Sequence, residues 1–309
     1  MRQCLHPNMD TVPAQSEAWT RYWAGGMTES CFMGQTPVAF PSTWLEFARS
    51  LSPGARVVDL ACGAGTVARQ IQASSPSLRI DGVDFANTLP RLPGIQLHPN
   101  TKLESLPFEA ETFDAVVSQF GFEYANVTQA SAEAARVLKP SGRLCLIIHN
   151  SSGPAIADAK RRVQRLTEVK ANNGILIAMR NLALAHKDGI DTSATEMSAK
   201  AAWQRLHDAR DQDETTSWAL SFSRELLENW KRFEPAYLVD NSGKISVEIA
   251  LYAARIEAMV RAARDQSGMD TIADLFRDVG IEVSTLAPLF YQSDPVAWLL
   301  EGQKTSLTA

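Results

Sequence analysis

The stretch Val57–Ala68, with the sequence VVDLACGAGTVA, decides the fold. It begins with a short apolar run, which is typical of a strand buried inside a parallel sheet. Gly63 and Gly65 follow, and because glycine has no Cβ atom, the backbone can turn tightly there and lie close to a ligand. From Thr66 onward the apolar residues have helical spacing. A strand, a glycine turn and a helix in this order point free N–H groups at whatever lies above the strand. The stretch therefore predicts a ligand-binding site.

Two kinds of ligand are compatible with this turn. The pattern Gly63-x-Gly65-x-x-Ala68 matches the loose dinucleotide fingerprint, with an acidic residue, Asp84, at a suitable distance. The other ligand is S-adenosylmethionine. Asp59 distinguishes between the two ligands and disfavours the dinucleotide, because a pyrophosphate would repel a carboxylate at the end of the strand. A turn with no ligand is a weaker explanation, since Asp59 would then be nearly buried without a partner.

The segment Asp59–Gly65 resembles motif I, (D/E)-x-x-x-G-x-G, of the class I S-adenosylmethionine-dependent methyltransferases. In that family the acid that ends the strand faces the cationic methionine end of the cofactor. Ala61 stands where the family often has another glycine, and Cys62 lies within the turn. The resemblance implies that the cofactor is bound by Asp59, Ala61, Cys62, Gly63 and Gly65.

A second acid is predicted at the end of the next strand, residues 78–83, which is followed by Asp84 and Phe85. An acid at this place accepts hydrogen bonds from both ribose hydroxyls in nucleotide-binding folds of this kind. A lone aspartate here could instead cap a helix. Together with motif I, the position favours Asp84 as the ribose ligand, with Phe85 beside it in the cofactor site.

The segment Leu103–Ser118 resembles the region around strand four of small-molecule methyltransferases. The family often has an aspartate before its Leu-Pro-Phe that bonds the adenine amino group, whereas this chain has Lys102 there. Leu103 is still expected to offer backbone groups and an apolar wall to adenine. Ser118 and Gln119 end strand four and are expected at the same site. No Asn/Asp-Pro-Pro-Tyr motif follows, so the pattern of amino-methylating DNA enzymes is absent.

Residues 137–149 match the family's L-(K/R)-P-G-G-x-(L/F) turn and fifth strand. Pro140 is expected to end the preceding helix, 127–138, and Gly142 to make the turn. A last helix over 268–280 and strands over 281–286 and 297–304, joined by a loop at 292–295, predict the terminal hairpin of a methyltransferase sheet.

These resemblances imply an α/β fold. We expect a Rossmann-like, seven-stranded, mostly parallel sheet with helices on both faces, plus a helical insertion between strand five and the last helix. The methyltransferase core is predicted at 40–150 and 268–309. Residues 151–267 are predicted as successive helices, about 154–171, 175–187, 194–212, 222–232 and 244–265. In related enzymes such an insertion commonly forms a lid over the acceptor, and the alternative is a face for a homodimer.

Residues 1–39 are predicted as an N-terminal helical segment that gates the site. Trp19 and Trp23 are four residues apart and share one helix face. They are either core anchors against the sheet or part of a cover over the cofactor or substrate. In the second case 30–34 would belong to the mobile gate, and 1–14 are expected to be loosely attached.

Three side chains are candidates for a general base, which is needed only if the acceptor has a proton of high pKa. His149 ends strand five, beside the insertion, and could instead be a strand-end histidine with local hydrogen bonds. Glu123 follows strand four and could instead cap the helix that starts near Asn126. Tyr22 is the third candidate, and its ring could simply pack beside the two tryptophans.

The composition limits the partners. A net charge of −5 and a pI of about 5.6 are a poor match to RNA or DNA. The four cysteines have no metal-binding spacing, Cys62 and Cys145 look like buried reduced thiols, and no catalytic metal is expected. The first residues lack the apolar core of a secretory signal, and no apolar run is long enough to cross a membrane. We expect a cytoplasmic protein.

The function favoured by these observations is transfer of a methyl group from S-adenosylmethionine to an oxygen or nitrogen of a small metabolite. A methyltransferase acting on protein or RNA is the first alternative. A fold that binds the cofactor without turnover and a nicotinamide-dependent oxidoreductase are less favoured.

Overall fold

The computed structural model describes residues 15–26, 39–208 and 214–306. The predicted loose terminus, 1–14, and the 30–34 part of the predicted gate lie outside the described residues. In chain order the helices and strands are α1 (Gln15–Ala24), α2 (Ala39–Arg49), β1 (Arg56–Leu60), α3 (Thr66–Ser74), β2 (Arg79–Val83), β3 (Ile95–His98), β4 (Phe113–Gln119), α4 (Val127–Val137), β5 (Leu138–His149), α5 (Pro154–Lys170), α6 (Ile175–Lys187), α7 (Ser193–Asp208), α8 (Glu214–Asn229), α9 (Pro235–Ala262), α10 (Gln266–Asp278), β6 (Ile281–Tyr291) and β7 (Asp294–Lys304).

The seven strands form one sheet in the order β3-β2-β1-β4-β5-β7-β6. Neighbouring strands from β3 to β5 are parallel, while β7 runs antiparallel to both β5 and β6. The predicted seven-stranded, mostly parallel sheet is therefore confirmed. The strand order reverses between β1 and β4, which is where open α/β sheets bind their ligands, at the carboxyl ends of the strands.

Helices cover both faces of the sheet because alternate residues of each strand point to opposite sides. Val58 of β1 packs in a core with Ala134 of α4 and Phe276 of α10. Val57, its neighbour, packs in a second core on the other face, with Trp44 of α2 and with α3. The two cores hold β1 rigidly between them, so the residues that follow β1 have a well-defined position.

The turn into β5 differs from the sequence prediction. Helix α4 ends at Val137, and β5 already begins at Leu138, before Pro140. The left-handed residue is Ser141, with φ 60°, rather than Gly142. Gly142 is needed for space instead, because a Cβ atom there would lie 2.8 Å from the carbonyl oxygen of Lys139 and from the Leu138 side chain.

The terminal hairpin is longer than expected. Strand β6 continues to Tyr291, and β7 already begins at Asp294. The predicted loop at 292–295 is therefore reduced to a tight turn at Gln292, whose φ is 56°. The cysteine prediction is confirmed where the structure describes it, because Cys62 and Cys145 are both buried free thiols.

Residues 159–257 form a compact unit separate from the unit made of 15–158 and 258–306. Its own core contains Leu166, Leu182, Leu206 and Ile249. The first two predicted helices agree with α5 and α6, and α7 begins near the predicted residue 194. Helix α8 spans Glu214–Asn229 rather than 222–232, and α9 starts at Pro235 rather than near 244. Proline fits the first helical turn, where its missing N–H is not needed.

Candidate cofactor site

A cavity of about 460 Å³ lies at the carboxyl ends of β1, β2 and β4, within the unit that contains the sheet. Eight of the ten residues predicted from the sequence to bind the cofactor line it. They are Asp59, Ala61, Cys62, Gly63, Asp84, Phe85, Leu103 and Gln119. The switch in strand order therefore gathers residues from four separate segments of the chain.

The other two predicted residues, Gly65 and Ser118, are not among the lining residues, and both have structural roles. Gly65 precedes α3 with φ 74°, and a Cβ atom there would lie 2.1 Å from the Leu92 side chain. The Ser118 hydroxyl donates to the carbonyl oxygen of Leu60 at 2.7 Å and accepts from the N–H of Phe122 at 3.1 Å. Ser118 thereby joins the end of β1 to the turn that follows β4.

The bend after β1 has a left-handed backbone at Ala61 and Gly63, with φ 54° and 51°. Gly63 must lack a side chain, because a Cβ atom would lie 2.5 Å from the ring of Trp23. Ala61 keeps its methyl group because Gly121, after β4, leaves room for it. A Cβ atom on Gly121 would lie 2.4 Å from the Ala61 Cβ. The alanine in motif I is thus matched by a glycine on the neighbouring strand end.

Asp59, the last but one residue of β1, is 1% exposed and accepts a 3.2 Å hydrogen bond from the N–H of Ala68. Burial, partly offset by that bond and reinforced by the nearby Asp84 carboxylate, raises the Asp59 pKa to about 8. A positively charged group in the cavity would favour the ionised form of Asp59, whereas a pyrophosphate would oppose it.

Asp84 directly follows β2 and is also buried. Its Oδ2 accepts from the N–H of Gly63 and its Oδ1 from the N–H of Ala86, both at 2.8 Å. Burial raises the pKa of Asp84, and the two backbone hydrogen bonds partly offset this. Each carboxylate oxygen can accept a second hydrogen bond, so Asp84 can bind two neighbouring hydroxyl groups while it holds the bend in place.

Cys62, between the two acids, is an inert part of the wall. Burial, together with the Asp59 and Asp84 carboxylates, raises the pKa of its thiol well above the usual value. The thiol therefore stays protonated at neutral pH and is a poor nucleophile.

The wall beyond Asp84 is partly apolar. The N–H of Thr101 donates to the carbonyl oxygen of Asp84 at 2.8 Å, which places the segment from Thr101 to Glu104 beside β2. Phe85 and Leu103 supply apolar surface there. The ammonium of Lys102 lies 5.7 Å from the centre of the Phe85 ring.

Helix α1 contributes Trp19 and Trp23 to the cavity wall. The two rings stack with their centres 5.8 Å apart, and Trp19 also meets Tyr124 edge to face at 5.7 Å. The hydroxyl of Thr20 accepts from the N–H of Asn87 at 2.8 Å, which links α1 to the loop after β2. Both tryptophans therefore line the cavity, and a covering role over a bound ligand stays a prediction.

The candidate bases His149 and Glu123 form a buried pair. The Nδ1 atom of His149 lies 2.7 Å from Oε1 of Glu123, and the same oxygen accepts from the His149 backbone N–H at 2.9 Å. Neither residue is among the lining residues of the cavity. The Phe120 ring, which does line it, is centred 4.4 Å from the imidazole. Helix α4 is capped by Asn126 itself rather than by Glu123.

Tyr22, the third candidate base, is half-buried and packs edge to face on Trp19 and Trp23, with ring centres 6.0 and 4.9 Å away. It is not among the residues that line the cavity. This arrangement agrees with the packing role that the sequence left open for it.

Sequence reasoning did not assign several lining residues to the cofactor. Gly121 and Tyr124 come just after strand four, so the rule that ligands lie at carboxyl strand ends could have indicated them. Glu104 and Gln129 also line the cavity, and no sequence signal pointed to them.

The described residues show no group of three or more His, Cys, Asp or Glu side chains placed to hold a metal ion. No helix in the described ranges combines the length and the apolar character that a membrane span requires.

The cavity fits S-adenosylmethionine on its own chemistry. It offers a buried carboxylate of raised pKa for a cationic group, a second carboxylate with hydrogen-bonding capacity for a ribose, and an apolar wall for a nucleobase. The ring of Trp23 lies against Gly63 and leaves no space for a side chain at the bend. The fold and this site together define a nucleoside-binding α/β domain of the methyltransferase type.

Comparison with known proteins agrees with this assignment. Residues 58–146 match the family model described as "Methyltransferase domain". The ubiquinone/menaquinone biosynthesis C-methyltransferase UbiE of Syntrophotalea carbinolica is 35% identical over 128 residues, which are 38% of this chain and 53% of that protein. The demethylmenaquinone methyltransferase of Thermotoga maritima is 33% identical over 97 residues, 30% of this chain and 42% of that protein. The chain thus spans about half the length of the curated relatives it matches.

Among solved structures, the 1,6-didemethyltoxoflavin-N1-methyltransferase of Burkholderia thailandensis aligns with 94% of this chain and 87% of its own, at 10% identity and a TM-score of 0.45. A likeness of that level says nothing about function. The family match and the curated relatives do identify the domain. The chain contains a class I, S-adenosylmethionine-dependent methyltransferase domain, and the predicted family and cofactor are confirmed.

Proposed function

We propose that the whole protein transfers a methyl group from S-adenosylmethionine to a small molecule. The observation that supports this most directly is the pair of buried carboxylates, Asp59 and Asp84, at two strand ends of one cavity. The acidic net charge of −5 further disfavours a nucleic acid as the acceptor.

When bound, S-adenosylmethionine supplies a methyl group that its sulfonium activates for displacement. Asp59 would bind the cationic methionine end, and Asp84 would bind the ribose hydroxyls. The rings of Trp19, Trp23 and Phe120 supply aromatic surface to the cavity. Because the methyl group is already activated, much of the rate enhancement can come from orientation, for which effective molarities of about 10⁵ M or more are possible.

Carbon is the acceptor atom that the curated relatives favour, since their names describe C-methyltransferases. The sequence analysis expected oxygen or nitrogen instead. The curated relatives cover only 30–38% of this chain, so the choice between these atoms rests on their names. The lid role of residues 151–267 and the possible homodimer stay predictions.

We propose His149, oriented by Glu123, as the candidate general base for an acceptor with a dissociable proton, although neither residue lines the cavity and the Phe120 ring lies against the imidazole. A carboxylate at Nδ1 fixes the imidazole and stabilises its charged form. If so, His149→Gln should lower kcat and leave the affinity for S-adenosylhomocysteine unchanged. A matching loss of affinity would show that His149 supports the fold of the site instead.

The cofactor assignment can be tested by calorimetry. We expect micromolar binding of S-adenosylhomocysteine and no binding of NAD, and the reverse result would refute the proposal. Incubation with methyl-labelled S-adenosylmethionine and panels of small phenols, amines and quinols then tests the acceptor. Label found only in co-purified protein or RNA would contradict the small-molecule assignment.

A further inference from the structure

Arg264 lies where the chain returns to the sheet after α9. Its backbone is hydrogen-bonded to the residues at the end of β5, where the chain leaves the sheet. Its N–H donates to the carbonyl oxygen of His149 at 2.9 Å, and its carbonyl oxygen accepts from the N–H of Ser151 at 2.8 Å. The Nε1–H of Trp298 donates to the same carbonyl oxygen at 2.9 Å. Arg264 is therefore fixed directly beside the end of β5.

The guanidinium group of Arg264 holds a second piece of the site. Its Nη2 donates to the carbonyl oxygen of Glu123 at 3.1 Å. Its Nη1 donates to the carbonyl oxygens of Arg261 and Ala262, at the end of α9. One planar group thus links the carboxyl end of a helix to the short turn that contains Glu123.

Arg264 consequently contacts the backbone of both members of the buried Glu123–His149 pair. Within the pair itself, a single oxygen, Oε1 of Glu123, meets both the ring and the backbone N–H of His149. The other oxygen, Oε2, has no hydrogen-bond partner among the described residues. The rings of Phe120 and Tyr124 also contact the imidazole. The alignment of carboxylate and ring is therefore sensitive to how the two backbones are held relative to each other.

We infer that Arg264 is a positioning residue for the Glu123–His149 pair, so that the return of the chain after α9 sets the orientation of the His149 ring. This inference rests on the proposed function insofar as the pair serves methyl transfer. All the hydrogen bonds of Arg264 described above lie within the unit that contains the sheet.

An arginine is suited to this place because its guanidinium presents five N–H donors in one rigid plane. A lysine keeps the charge but is a single flexible donor centre, so it cannot hold the Glu123 carbonyl and the helix end in the same fixed geometry. Arg264→Lys should therefore disturb the pair less than Arg264→Met does. Arg277→Met is a matched control, since Arg277 lies on α10 and pairs with the exposed Asp274.

The test is nuclear magnetic resonance of the full chain with ¹⁵N-labelled histidine, with the His149 signals assigned through His149→Gln. In the native protein we expect an Nδ1–H signal that exchanges slowly with water. Arg264→Met should accelerate that exchange at least tenfold and shift the Nδ1 resonance, Arg264→Lys should do so to a smaller extent, and Arg277→Met should match the native protein.

A native-like His149 signal in Arg264→Met would overturn the inference, as would an equal change in Arg277→Met. If Arg264→Met does not fold, Arg264→Lys provides the test. A shifted His149 signal in that variant supports the inference, and a native-like signal contradicts it. Calorimetry with S-adenosylhomocysteine is run on the same samples, and we expect affinities within threefold of native. Failure of the native protein to bind it would refute the proposed function, while the comparison of His149 signals would still stand.

Discussion

The substitution Asp59→Asn should make the cofactor-free protein more stable and its cofactor site weaker. The Asp59 pKa is about 8 in the fold, against 3.8 for the free side chain. Each pKa unit of that difference lowers the free energy of unfolding by about 1.4 kcal/mol at pH values where Asp59 is ionised in the unfolded chain. Because the folded-state pKa is raised, stability is lost as pH increases above the unfolded value, until the group ionises in the fold as well.

The expected gain from Asp59→Asn therefore grows with pH. It is about 2 kcal/mol at pH 5.5 and about 5 kcal/mol at pH 7.5, because asparagine has no ionisation to suppress. The amide oxygen can still accept the hydrogen bond from Ala68. Hydrogen exchange of the β1 amides, read by mass spectrometry, measures the opening free energy of this unit at both pH values without assuming that the whole chain unfolds in one step.

Binding should change in the opposite direction. In the proposed site the ammonium group of S-adenosylhomocysteine pairs with ionised Asp59, so binding to the native protein should release a proton below pH 8. Calorimetry in two buffers of different ionisation enthalpy should detect this proton at pH 7. Asp59→Asn should abolish the release and lower the affinity at least tenfold, about 1.4 kcal/mol.

Asp81→Asn is the matched control for the stability measurement. Asp81 is also a buried acid of the sheet, but it pairs with Arg56 and His98, each at 3.0 Å. Removing its charge should destabilise the protein, since it leaves a half-buried cation without its partner. The reasoning about Asp59 is refuted if Asp59→Asn destabilises the cofactor-free protein at pH 7.5, or if its gain is the same at both pH values.

Three further outcomes are expected from the same site. Asp84→Ala should weaken binding of S-adenosylhomocysteine by ~1–3 kcal/mol in calorimetry, and an unchanged affinity would show that the ribose assignment is wrong. Gly121→Ala should destabilise the fold by about 1–3 kcal/mol in thermal unfolding, because its methyl group would meet that of Ala61. Adding Ala61→Gly should recover the lost stability, and if it does not, the proposed clash between the two methyl groups is wrong. Trp23→Leu should speed release of S-adenosylhomocysteine in stopped-flow fluorescence, and an unchanged rate would show that Trp23 does not cover the ligand.

The cofactor half of the site was predictable because its signals are local. The acid, the bend and the helix start lie within Asp59–Ala68, and the strand that presents Asp84 is equally short. A parallel strand, a glycine turn and a helix leave few arrangements, since ligands lie at the carboxyl ends of such strands. Eight of ten expected residues therefore line one cavity. The remaining two, Gly65 and Ser118, were placed at the right strand ends but support the cavity from outside.

The long-range features could not be predicted from one sequence. Glu123 and His149 were considered separately as bases, and only the register of β4 with β5 brings them to 2.7 Å. Likewise, the sequence shows Ala61 in place of the usual glycine but not how its methyl group is accommodated. The reason for its tolerance is Gly121, which becomes visible only when the ends of β1 and β4 are adjacent.

Backbone strain and buried charge are found together around this cavity. Ala61 and Phe120 are non-glycine residues in the left-handed region, with φ 54° and 55°, and both line it. Asp59 lies beside them as a buried acid of raised pKa. Each of these features costs stability, and such costs persist at functional sites because the surrounding structure holds them in place. A ligand that supplies a cation to Asp59 and fills the cavity lined by Phe120 offsets part of that cost. The same residues that destabilise the empty site therefore contribute to binding once the ligand is present.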